Sequence, residues 1–127
     1  MNTEIAAYIF AFLMLLLVLF QLALAAGMPW GSLAMGGKFP GRFPVKLRIA
    51  AIVQATIAIL FSLLVISRAG LLLPSWQESA GIFIWVVVGF SVLSTVMNII
   101  TPSKWERIIW APVAVTLTIC SLIVALS

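Results

Sequence analysis

Four uninterrupted apolar stretches alternate with short polar segments along the chain. They cover about residues 5–26, 49–67, 80–100 and 108–126, and none of them contains a charged residue. Stretches of about 20 residues are long enough to cross about 30 Å of hydrocarbon as helices. Each must be helical, because hydrocarbon offers no partner to an unpaired backbone N–H or C=O group. The pattern predicts an all-α membrane protein with four transmembrane helices.

Small and polar residues recur on one face of each stretch, at the spacing of three or four residues that a helix brings to one side. The four stripes are Ala7, Ala11, Met14, Val18, Gln21 and Ala25; Ala51, Gln54, Ala58 and Ser62; Ser91, Ser94, Thr95 and Asn98; and Ala111, Ala114, Thr118, Ser121 and Ala125. Lipid gives helices no hydrophobic reason to associate, so close approach and hydrogen bonds must hold them together. We therefore expect these stripes to face inward in a compact antiparallel bundle. Pro112 falls near the start of the fourth stretch, where proline costs a helix little.

A faint internal repeat favours two helical hairpins. Arg48 precedes the second stretch and Arg107 the fourth, and 62–65 (SLLV) and 121–124 (SLIV) follow at the same offset. Repeated hairpins occur in some transporters, although chance similarity is common in apolar sequence.

Composition agrees with the membrane class. Of the 127 residues 65% are hydrophobic and 8% are charged, and the mean hydropathy is +1.30. A soluble domain of this size could not bury so much apolar surface. The length predicts one transmembrane domain, residues 1–127.

The distribution of basic residues predicts the orientation. The segments after the first and third stretches hold six of the seven Lys and Arg residues, and Arg68 lies alone on the other side. By the positive-inside rule, those two segments face the cytoplasm and both termini face outside.

The segment 27–48 is rich in glycine and proline and carries Lys38, Arg42 and Lys46. One hypothesis is an anion site, in which backbone N–H groups and basic side chains hold a lipid phosphate. The alternative is a basic loop that only sets topology. In either case we expect the three side chains to contact anionic headgroups of the inner leaflet.

Three amides, Gln21, Gln54 and Asn98, are predicted to lie in the inner third of the membrane. A polar group at that depth needs a partner. They could bond to one another and fix the bundle, or they could form, with Ser94, the floor of a pocket that opens to the cytoplasm under Arg48. The sequence leaves both interpretations open.

Candidate catalytic chemistry is sparse. The chain has no histidine, one cysteine and only the carboxylates of Glu4, Glu78 and Glu106. Glu106 is the carboxylate predicted near the inner interface, where an ion pair with Arg48 could tie the hairpins together. We predict no catalytic residue, no metal site, no cofactor and no nucleic-acid partner.

The run 26–31 (AGMPWG), followed by Gly36-Gly37, Pro44 and Arg48, resembles a pattern in small uncharacterised four-helix membrane proteins of bacteria. The later Asn98, Ser103 and Glu106-Arg107 are similar too. The resemblance implies a location in the bacterial inner membrane and implies no activity.

Three functions are compatible with the sequence. The first is a non-catalytic structural or accessory protein that binds lipid or a partner, either a second copy of itself or another membrane protein. The second is a small dimeric transporter or channel for an uncharged or anionic molecule. The third, a lipid-modifying enzyme, would depend on Glu106 as its acid or base.

Overall fold

Four long helices make up most of the computed structural model, which describes residues 2–127. They are α1 (Thr3–Ala26), α2 (Val45–Arg68), α3 (Gln77–Ile100) and α4 (Lys104–Ala125). All four are long and apolar enough to cross a membrane. The predicted class, a bundle of four membrane-spanning helices, is confirmed.

Local sequence signals explain where the helices begin and end. Asn2 caps α1, because its side-chain oxygen accepts a hydrogen bond from the backbone N–H of Ile5 at 2.8 Å. Gly27 ends α1 with a left-handed φ of 99°, the conformation that glycine adopts most easily at a helix C-terminus. Ser103 caps α4, which therefore begins about one turn earlier than the apolar stretch does.

The earlier start of α4 changes the place of Pro112. It is not in the first turn, as the sequence suggested, but inside the helix. The missing N–H of Pro112 leaves the carbonyl of Ile108 without its usual intrahelical partner.

The helices form a ring in which α1 packs against α2 and α4, and α3 packs against the same two neighbours. Much of the interior consists of small side chains that let the backbones approach closely. The buried core residues include Ala7, Phe10, Met14, Val18, Ala55, Ala58, Ile84, Val87, Leu117 and Cys120. Large apolar side chains such as Phe12, Ile52 and Ile82 are exposed on the outside, as a protein surrounded by lipid requires.

Contacts between neighbouring helices are distributed along the bundle. The Thr95 and Thr118 hydroxyls lie 3.1 Å apart and join α3 to α4. The rings of Phe61 and Phe90, with centroids 5.5 Å apart, join α2 to α3.

The connection between α1 and α2, residues 27–44, is called loop 1 here. It contains two short 3-10 turns, Gly31–Leu33 and Met35–Gly37. The Gly31 amide donates to the Gly41 carbonyl at 2.9 Å. A Cβ atom on residue 31 would lie 1.8 Å from the Phe39 carbonyl oxygen, so only glycine permits this crossing of the chain.

Candidate functional site

Loop 1 is fastened to the first two turns of α4 by three side chains. The Glu106 carboxylate accepts from the Gly36 N–H at 2.9 Å. The Ser103 hydroxyl donates to the Ser32 carbonyl at 2.9 Å, and the Trp110 indole N–H donates to the Leu33 carbonyl at 3.0 Å. Each bond satisfies a backbone group of the loop, so the loop is held as a folded element against the bundle.

The sequence around Ser103 explains how Glu106 becomes available for this contact. Ser103 and Glu106 stand three residues apart, the spacing of a capping box. The Ser103 hydroxyl accepts from the Glu106 backbone N–H at 3.3 Å, which is half of that motif. The other half is absent, because the Ser103 N–H donates to the Thr101 hydroxyl at 3.2 Å and the Glu106 carboxylate reaches across to loop 1.

Glu106 is a buried carboxylate with 8% of its surface exposed. Its charge lies in the first turn of α4, where the positive end of the helix dipole stabilises an anion. The Gly36 N–H adds a charge-assisted hydrogen bond. These two features compensate for removing the carboxylate from water.

A cavity of about 550 Å³ lies under loop 1, between the four helices. It is an open cleft and not a sealed void. It is lined by Leu17, Phe20, Gln21, Leu33, Ala34, Met35, Gly36, Lys38, Phe43, Leu47, Ala50, Ala51, Gln54, Ser94, Met97, Asn98, Ile100, Thr101, Pro102, Glu106, Trp110, Val113, Ala114 and Leu117. Most of these side chains are apolar, and a few polar groups interrupt them.

The structure brings four of the five candidate ligand-binding residues to this cavity. Gln21 donates through its side-chain N–H to the Gln54 side-chain oxygen at 2.8 Å, which joins α1 to α2. Asn98 lines the cavity from α3 and donates to the Ser94 carbonyl at 2.7 Å and to its hydroxyl at 3.2 Å. The amides therefore share one cavity, but Asn98 is bonded within its own helix and not to the glutamines.

Arg48, the fifth candidate, does not line the cavity. Its Nε atom donates to the Ala25 carbonyl at 2.8 Å, and Glu106 bonds to Gly36. The expected ion pair between Arg48 and Glu106 is not formed in the described part of the chain. Arg48 instead stabilises the carbonyl end of α1, where the helix dipole favours a cation.

The three residues expected to contact anionic headgroups occupy different positions. Lys38 lines the cavity from loop 1. The Arg42 guanidinium lies over Gly27, at 2.7 Å from where a Cβ atom of residue 27 would be. Lys46 is exposed in the first turn of α2. All three belong to the same end of the bundle.

Sequence reasoning did not find the apolar wall of the cavity or the role of Glu106 in holding the loop. Phe43, Ala51 and Trp110 give no signal that separates them from ordinary core or interfacial residues. The spacing of Ser103 and Glu106 was the one available signal, since a capping box marks a helix start. It could have placed the start of α4 correctly, but not the contact with Gly36, which is 70 residues away.

Comparisons with family models, with curated proteins and with solved structures found no match to this chain.

We predict that replacing Glu106 with alanine loosens loop 1. The Gly36 N–H loses its charged acceptor, and the loop opens more often because this hydrogen bond no longer stabilises it. We expect the hydrogen exchange of the Gly36 amide to become about ten- to a hundredfold faster. The measurement is hydrogen exchange of the purified protein in micelles. Glu78→Ala is the matched control, because Glu78 is exposed in the first turn of α3. An unchanged exchange rate at Gly36 in the Glu106 variant would contradict the attachment.

Proposed function

We propose that this small multi-pass membrane protein is a non-catalytic binding protein that holds an amphipathic small molecule in the cavity beneath loop 1. The observation that carries the proposal is the open cavity of about 550 Å³, with a bonded amide pair in an otherwise largely apolar wall. Ligand sites of proteins typically have volumes of about 300–1,000 Å³ and place a few polar groups among apolar ones.

The side chains that line the cavity indicate which kind of molecule can bind there. Leu17, Leu117 and Val113 offer apolar contact on the side of the bundle core. A fully charged group among them would lose its hydration without a partner, which costs several kcal/mol. We therefore infer that the part of the ligand nearest the core is apolar.

The side-chain amides of Gln21 and Gln54 can recognise a polar group of the ligand. Only one N–H of Gln21 and the oxygen of Gln54 are used by their mutual bond. The remaining amide atoms can donate to or accept from a hydroxyl, ester or amide group of a ligand. The two amides can therefore bind an uncharged polar group of the ligand, which would lie between its apolar tail and the part of the ligand nearest loop 1.

The contacts of the charged groups near the cavity support a non-catalytic role. Glu106, the carboxylate in the cavity wall, is engaged by Gly36. Arg48, the expected ion-pair partner of Glu106, donates to the Ala25 carbonyl instead. Neither of these two contacts pairs Glu106 with a nucleophile.

A small transporter is the second candidate, and the shape of the cavity favours it. The cleft reaches from loop 1 to Leu17 and Leu117, and beyond it Phe10, Ile84 and Val87 are fully buried. A site that lies near one end of the bundle and is closed by packing toward the other end resembles one state of alternating access.

For location we propose the bacterial inner membrane, with loop 1 and the α3–α4 connection in the cytoplasm. The excess of Lys and Arg at that end supports the orientation. The resemblance of residues 26–31 and the following glycines to small bacterial membrane proteins supports the compartment.

Native mass spectrometry of the protein, gently extracted from its own membrane, tests the binding function. We expect a retained small molecule that is lost or reduced by about fivefold in Gln21→Leu and in Gln54→Leu, because one hydrogen bond is worth about 1 kcal/mol. Gln77→Leu is the control, since it makes the same chemical change at the opposite end of the bundle. The spectrum also reports the number of subunits and any protein partner.

The result decides between the functions. Retention that is equal in the cavity variants and in the control, or a complex with another protein and no small molecule, would contradict the binding function. A retained solute that the protein also moves across the membrane of proteoliposomes would favour the transporter.

Labelling of single cysteines tests the orientation. In a Cys120→Ala background, we expect an impermeant maleimide to label Leu72→Cys in intact cells and to label Lys38→Cys only after lysis. Both positions are exposed. The reverse pattern would contradict the orientation inferred from the basic residues.

A further inference from the structure

Exposed residues of both α2 and α3 line the cavity, which indicates a lateral opening between these helices. This opening is called the mouth here, and the exposed loop 1 residues Met35 and Lys38 lie at its loop end. Met97 is 55% exposed and Ile100 68% exposed on α3, and Gln54 is exposed on α2. Ala50 lies one helical turn from Gln54 on the same side of the opening.

This mouth lies in the part of α2 and α3 that we expect to be inside the membrane. Gln54 follows the start of α2 at Val45 by nine residues, a rise of about 14 Å. Met97 and Ile100 belong to the last turns of α3. The residues on both sides of the opening lie within the uncharged stretches 49–67 and 80–100. A molecule dissolved in the bilayer can therefore enter the cavity without passing through water.

Loop 1 covers the end of the same cavity. Its residues Leu33, Met35 and Gly36 line the cavity. The hydrogen bonds that this segment forms with Ser103, Glu106 and Trp110 hold it in place. Farther along, α2 and α3 close again, where Phe61 contacts Phe90. The lateral mouth is therefore bounded by the loop on one side and by this aromatic pair on the other.

The charge at the rim agrees with a lipid headgroup. Lys38 is the cation among the cavity-lining residues, and it is exposed. Glu106 lines the same cavity, but its carboxylate is bonded to the Gly36 N–H. A phosphate near Lys38 would be attracted by the basic end of the bundle, where the inner leaflet presents anionic lipids.

We propose that the ligand is an anionic glycerophospholipid of the surrounding leaflet, which enters between α2 and α3. One acyl chain lies along the apolar wall toward Leu117, the ester group reaches Gln54, and the phosphate pairs with Lys38. This inference rests on the proposed binding function and names the class of its ligand.

Trp110 provides a probe, because it lines the cavity. The variant in which Trp30, Trp76, Trp85 and Trp105 are phenylalanine leaves Trp110 as its one tryptophan. In vesicles with brominated acyl chains, a lipid in the cleft quenches this fluorescence. Phosphatidylglycerol and phosphatidylcholine, brominated at the same carbons, are compared at equal fractions.

Two pairs of variants test the entry and the headgroup. We expect Ala50→Phe, which fills the mouth, to reduce the quenching of Trp110, whereas Ile52→Phe on the outer face of α2 leaves it unchanged. We expect Lys38→Ala to lower the preference for phosphatidylglycerol by about fivefold. Lys46→Ala removes the same charge from an exposed position outside the lining and should change the preference less.

The outcomes separate the inference from the binding function. Equal effects of Lys38→Ala and Lys46→Ala, or quenching of Trp110 that Ala50→Phe does not reduce, would overturn the phospholipid site. Since Lys38 is exposed, its variant is expected to fold, and it decides the matter even if Ala50→Phe does not fold. If mass spectrometry then still shows a retained molecule sensitive to Gln21→Leu, such as a free fatty acid, only the ligand class is wrong. Loss of both signals would reject the binding function itself.

Discussion

The attachment of loop 1 to the start of α4 is the constraint on which the cavity depends. Glu106, Ser103 and Trp110 each bond to a backbone group of the loop, and they join the first helical hairpin to the second. Without these bonds, the segment from Leu33 to Lys38 would have no fixed position and the cavity would lack one wall. The attachment uses a buried carboxylate, which is stable there because a helix N-terminus and a backbone N–H surround it.

The second constraint is that lipid gives the four helices no hydrophobic driving force to pack against one another. Helices in lipid associate through close approach and hydrogen bonds, and this bundle uses both, with Ala55 and Ala58 in its core and the Thr95–Thr118 contact between α3 and α4. Between α2 and α3 the close contact lies at Phe61 and Phe90, while nearer to loop 1 the two helices line a cleft. The helices α2 and α3 therefore stabilise the bundle where Phe61 contacts Phe90, and they border the cavity nearer to loop 1.

The sequence predicted the helices well because the requirement for about 20 apolar residues is strict and local. It also placed some of the buried residues, such as Met14, Val18 and Ser91, since helical spacing needs no knowledge of neighbouring helices. It did not place the large buried side chains of Phe10, Ile84 and Leu117, because the stripes were drawn through small and polar residues. The start of α4 was misplaced because Ser103 and Glu106, which begin it, are polar. The contact between Glu106 and Gly36 could not be predicted, because it depends on how a glycine-rich loop folds over a distance of 70 residues. The amides were recognised as a group, but which of them bond to one another is decided by the rotation of each helix.

Cysteine crosslinking of loop 1 to the start of α4 tests the central claim most directly. A Cβ atom on residue 37 would lie 3.3 Å from the Ser103 Cβ atom, close to the separation of about 3.5–4.5 Å in disulfides. In a Cys120→Ala background, Gly37→Cys with Ser103→Cys should crosslink on mild oxidation. Gly41→Cys with Ser103→Cys is the control, because Gly41 has a similar positive φ and a Cβ atom there would have no neighbour within 4 Å. The account predicts a crosslink in the first pair only; no crosslink in that pair, or equal crosslinking in both, would contradict it.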